Sequence, residues 1–181
     1  MTTEPTETAT APTVRPIPEG YTAVTPWIIS RDTARLLAFV EAAFGAEELA
    51  RIPNEDGSIG HAEFRIGDAI VMGFDARPDW PDTPAFLRLY VDDGDAVHRR
   101  ALAAGATSVT EMTEMPWGDR VGRVRDPLGN LWWIQTRIEE VGEDWMTARA
   151  REPTYVEAMR YVQGAEFFLP DRVGGDEGGK A

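Results

Sequence analysis

The chain has 181 residues, 43% of them hydrophobic, enough for a well-buried core. It contains no cysteine, which excludes disulfides, thiolate metal sites and a cysteine nucleophile, and its formal net charge of -13, from 31 acidic against 18 basic residues, opposes a nucleic-acid partner. No stretch approaches the roughly 20 apolar residues of a membrane-spanning helix, and the N-terminal run lacks the basic start and apolar centre of a signal peptide, so the expectation is a cytoplasmic protein with no membrane partner.

Residues 1–19 are mainly Thr, Pro and Glu, with little to bury, and are predicted to be a disordered tail. Two similar units follow. A strand-like run at 22–30 leads into a helix capped by Asp32, with Leu36, Leu37, Phe39 and Val40 on one face and Gly45 at its C-terminal stop. Three short strands come next: EELARI, IGHAEFRI and AIVMGF, with Gly67-Asp68 as a two-residue turn between the last two. The segment DARPDWPDTP is read as an exposed linker. The pattern then repeats: AFLRLYV at 85–91, a helix capped by Asp93 and stopped at Gly105, and the strands TSVTEM, DRVGRVR and LWWIQT.

The fold class is therefore α+β: tandem βαβββ modules at 22–75 and 85–136, within one domain at 20–136. Residues 137–170 change to a helical pattern, with EEVGEDWMTARAR, a Pro153-initiated helix and the apolar patch Phe167-Phe168-Leu169, and Trp145, Met146, Tyr155, Met159 and Val162 are read as apolar stripes. Residues 171–181 are expected to be a flexible tail.

Alternation sorts strand residues by face. In HAEFRI, Ala62, Phe64 and Ile66 suit the helix-covered side, which turns His61, Glu63 and Arg65 the other way. In AFLRLYV, Ala85, Leu87, Leu89 and Val91 read as core and Phe86, Arg88 and Tyr90 as the opposite face. Trp132 reads as core, and His98 as a partly exposed residue of the second helix.

GDRVGRVRDPLGNLWWIQT at 118–136, preceded by VDDGDAVHRRALAAGAT at 91–107, resembles the second module of the glyoxalase, bleomycin-resistance and extradiol-dioxygenase superfamily, also called vicinal oxygen chelate. HAEFRIGDAIVM at 61–72 is similar to the first-module hairpin of its phosphonate-operon glyoxalase-like subgroup. The resemblance implies a curved, partly open mixed-sheet barrel, a homodimer, and a ligand on the concave face. Metal-dependent members carry His, Gln or Glu on the first and last strand of each module; the matching positions here are Thr25, Met72 (Val71 with a one-residue slip), Phe86 and Trp133, none an ordinary ligand. No metal and no cofactor is therefore expected.

The register that the resemblance implies puts Thr25, Trp27 and Ile29, and Leu131, Trp133 and Gln135, on the concave side. The expected site has Trp27, Phe86, Tyr90 and Trp133 as walls, His61, Glu63, Arg88 and Gln135 as orienting groups, and Trp117 with Asp119 at its border. Such a face suits a small organic ligand, aromatic or amphipathic, held as sequestering resistance proteins of that family hold drugs. The alternative is a metal-independent isomerase, cyclase or lyase in which His61 and Glu63 transfer protons. Whether the chain is an enzyme stays open; the acidic charge is a minor argument for a cationic ligand.

Overall fold

In a computed structural model, residues 14–167 are described. The first module is β1 (Trp27–Ser30), α1 (Thr33–Phe44), β2 (Glu47–Pro53), β3 (Ile59–Ile66) and β4 (Ala69–Asp75). The second is β5 (Phe86–Tyr90), α2 (Gly94–Ala103), β6 (Thr107–Glu114), β7 (Asp119–Arg125) and β8 (Leu131–Arg137), followed by α3 (Glu143–Arg149) and α4 (Pro153–Gln163).

The strands form two four-stranded sheets of the same topology, sheet A in the order β1-β4-β3-β2 and sheet B in the order β5-β8-β7-β6. In each, the first and last strands of the module run parallel and the other neighbours antiparallel. Local chemistry sets the boundaries. Asp32 accepts from the Arg35 amide and Asp93 from the Ala96 amide, each satisfying a donor that the first helical turn leaves free. Gly45 ends α1 in the left-handed conformation, at φ 69°. Gly67 has φ 58° and no other residue of its turn has positive φ save glycine, the type II′ geometry that matches strand twist.

α1 and α2 pack against each other and against the backs of their sheets in one core that includes Leu36, Val40, Phe64, Val124, Trp132 and Ile134. Phe44 of α1 meets the Trp132 ring at 4.8 Å between centroids. Trp132 is fully buried, as expected of a core residue, and its indole N–H donates to Asp126 at 3.0 Å. The exposed linker is tied down by Arg31, which bonds the Asp82 carboxylate at 2.7 Å and the carbonyls of Arg77 and Trp80. No helix of the described residues is long and apolar enough to cross a membrane.

Three expectations need correction. The run at 22–30 is strand only from Trp27, because Pro26 has no N–H to give to a ladder, although its carbonyl still accepts from Met72. The first C-terminal helix starts at Glu143, after Gly142, and buries no residue, so Trp145 and Met146 stay exposed. His98 is buried, 3% exposed, because β7 presents Gly122 beneath it: a Cβ on Gly122 would lie 3.3 Å from the imidazole. Residues 1–13 of the predicted tail, Phe168 and Leu169 of the apolar patch, and the tail at 171–181 lie outside the described residues.

Candidate functional site

Each sheet has a helix-covered back and a second face. On sheet A, Ala62 and Phe64 of β3 are fully buried beneath α1, which turns His61, Glu63 and Arg65 to the other face. Register places Trp27 beside Met72, Met72 beside Glu63, and Glu63 beside Ala50, in one row across all four strands. Met72, not the core residue Val71, therefore holds the fourth-strand position on this face.

Glu63 organises the polar part of that row. Its carboxylate accepts from the Tyr21 hydroxyl at 2.6 Å and lies 2.9 Å from His61 Nε2. The Tyr21 bond, then the His61 bond, hold the Glu63 pKa below its ordinary value, while the same contact raises that of Tyr21. Glu63 is thus ionised and can only accept, so His61 Nε2 is its donor, and in a neutral ring Nδ1 is then the acceptor nitrogen. The His61 and Glu63 side chains are 29% and 20% exposed. Trp27, 58% exposed, packs edge-on to Phe74 at 5.5 Å, and Phe74 packs edge-on to Trp80 at 6.0 Å. Tyr21 carried no sequence signal beyond its place after Gly20; that glycine has φ 83°, and the Tyr21 amide closes a turn on the Pro18 carbonyl.

Sheet B is different: its second face is covered by α4. Val162 is 2% exposed and packs with Met115 and Val121, and Trp117, Trp133, Ala158 and Met159 surround them. Arg88, Trp133, Arg123 and Thr110 form a row across the sheet. The Trp133 ring has the Arg123 guanidinium at 3.8 Å and that of Arg88 at 4.4 Å, and Arg123 Nη1 donates to the Val162 carbonyl at 2.5 Å. Phe86 and Tyr90 are exposed on the edge strand β5. Gln135, 3% exposed, donates to the Tyr90 oxygen at 3.2 Å and to the Asp119 carboxylate, which also receives Arg137.

The nine expected site residues thus separate into two groups. Trp27, His61 and Glu63 share the open face of sheet A; Phe86, Arg88, Tyr90, Trp133 and Gln135 belong to sheet B, and Trp117 lies in the turn between β6 and β7. The backs of the sheets meet in the common core, so the groups lie on separate faces. That α4 covers sheet B decides among a sheet, a partner subunit and a pocket mouth, which the helical stripe alone left open.

The donors do not fit a resident divalent ion. Thr25 donates to the Thr22 carbonyl, the Met72 and Phe86 side chains offer no oxygen or nitrogen, and the Trp133 ring has two guanidinium groups within 4.4 Å. Both Glu63 oxygens are engaged. Among the described residues no three His, Cys, Asp or Glu side chains converge.

A family model described as Glyoxalase/Bleomycin resistance protein/Dioxygenase superfamily matches residues 20–134. An uncharacterised protein of Mycobacterium bovis is 38% identical over 137 residues, covering 70% of this chain and 90% of that protein. The crystal structure of TioX from Micromonospora sp. ML1 superposes with a TM-score of 0.54 at 28% identity, over 67% of this chain and 100% of TioX. FosX from Listeria monocytogenes, a fosfomycin resistance protein, shares the fold at a TM-score of 0.53 and 16% identity, over 69% of this chain and 97% of FosX.

Proposed function

Because the chain belongs to the glyoxalase/bleomycin resistance protein/dioxygenase superfamily, we propose that it binds a small organic molecule without a metal, in the manner of the sequestering resistance proteins of that family. The observation that carries this reading is Trp27, an indole 58% exposed in a row with Met72 and the Tyr21–Glu63–His61 chain. A large aromatic surface beside a few fixed polar groups is what an aromatic or amphipathic ligand needs. The open face of sheet A wants a cover, and a second copy of the chain supplies it in the homodimer that belongs to this reading. The exposed Ile52 and Tyr90 support such an association. Within the family we place the chain with the phosphonate-operon glyoxalase-like proteins, on the strength of the hairpin at 61–72.

The test is a fluorescence titration of the full chain with a panel of aromatic antibiotics. Saturable quenching that disappears in Trp27→Ala is expected; if no compound quenches, or if Trp27→Ala responds as the parent does, the reading fails.

The 2.9 Å contact of His61 with Glu63 favours a second reading, a metal-independent isomerase, cyclase or lyase. There the ionised Glu63 orients the imidazole and Nδ1 takes a proton from the substrate. With any compound the protein turns over, His61→Ala and Glu63→Gln should abolish turnover with the fold intact, and undiminished rates in both would end that role.

A further inference from the structure

Several arginines of this acidic chain pair with a carboxylate, among them Arg31, Arg51, Arg120, Arg137 and Arg149. Three on the second face of sheet B do not. Arg88 and Arg123 flank Trp133 in one row, and Arg125 lies two residues beyond Arg123 on the same face of β7. Among the described residues none of the three forms an ion pair with an acid, and their acceptors are neutral carbonyls. Arg123 bonds Val162, and Arg125 bonds Phe167 and Gly129.

Two further donors are idle. Arg123 is 2% exposed, yet among the described residues its Nε has no acceptor, and neither has the indole N–H of Trp133. A buried cation without a counter-charge is costly, and Arg88 beside it adds like-charge repulsion. Burial first, and Arg88 second, lower the Arg123 pKa from its usual value. Three arginines with no acid partner among the described residues thus share one face of an acidic chain. Next to it a cavity of about 210 Å³ is lined by Phe86, Leu87, Arg88, Leu131, Trp133 and Phe167. That is smaller than a drug-sized site, and apart from one guanidinium its side chains are apolar.

We propose that this cavity binds a small aromatic carboxylate, with its ring on the Phe86–Trp133 side and its carboxylate on Arg88, in the field of Arg123 and Arg125. A planar carboxylate matches the guanidinium fork, and it supplies the charge that the arginines lack. The apolar lining selects a ring-bearing acid over an inorganic anion, and the local charge rejects the cation that the net charge of the chain would attract. The inference goes beyond the sheet A reading above and assigns a ligand class to a separate face, that of sheet B.

Calorimetric titration of the full chain with benzoate, 2-naphthoate and indole-3-acetate tests it, with benzamide and benzylamine as neutral and cationic counterparts. At least one acid should bind with one-to-one stoichiometry, and more than tenfold tighter than benzamide or benzylamine. Arg88→Gln, at an exposed position, should weaken that acid on the order of tenfold, the loss of one charge-assisted hydrogen bond. Arg35→Gln, on the exposed side of α1, should leave it unchanged. Silence from all three acids, or wild-type affinity in Arg88→Gln, overturns the proposal. Binding of benzylamine with the acids silent overturns the carboxylate while leaving the small-molecule reading in place.

Discussion

Glu63→Gln isolates the polar chain on sheet A. The substitution keeps the side-chain volume and removes the charge that accepts from Tyr21 at 2.6 Å and faces His61 at 2.9 Å. A hydrogen bond to a charged acceptor contributes about 1.5–3 kcal/mol. Glutamine keeps one acceptor oxygen and places an amide donor where the other stood, so one contact of the two is lost. With the side chain 20% exposed, water offsets part of that loss, leaving about 1–2 kcal/mol. For a chain of this length that lowers Tm by about 2–8 °C at pH 7. The pH dependence follows from the lowered Glu63 pKa. A carboxyl whose folded pKa lies below its unfolded one stabilises the fold above the unfolded pKa, and that stabilisation is lost as pH falls through the folded value. Thermal melts of wild type and variant followed by circular dichroism should therefore differ fully at pH 7 and converge on acidification below about pH 4. A gap that is absent at pH 7, or constant down to acid pH, would refute the reasoning.

Gly122→Ala places a Cβ 2.5 Å from Met112 Sδ and 3.3 Å from both the Met112 Cα and His98. The forced shift should cost about 1–3 kcal/mol, read as a lower urea midpoint. Val162→Asp puts a charge against Met115 and Val121; lifting α4 from sheet B should cost about 3 kcal/mol and raise binding of a hydrophobic dye. Trp132→Phe removes the indole bond to Asp126 and leaves a void in the shared core, so calorimetry should show a loss of about 2–4 kcal/mol.

The repeated βαβββ order was readable because its signals are local. Asp32 and Asp93 are caps whose side chains bond amides three residues on, and the alternation in 61–66 is a period-two pattern with one covered face. The shared face of His61 and Glu63, and that of Phe86, Arg88 and Tyr90, followed from the same period, whereas Trp27, Trp133 and Gln135 were placed by the family resemblance. Where α4 lies did not, since its stripe of Met159 and Val162 matches any apolar surface and only the tertiary fold selects sheet B. The burial of His98 depends on a glycine 24 positions away, on β7. Tyr21 reaches Glu63 across 42 residues of sequence, a contact that no spacing rule announces. The net charge pointed toward cations, whereas Arg88 and Arg123 beside Trp133 have no acid partner among the described residues.

Native mass spectrometry of freshly purified protein, with elemental analysis of the same sample, tests the central claim most directly. Metal-free protein carrying an organic mass is the predicted result; a stoichiometric divalent metal in the protein would contradict it.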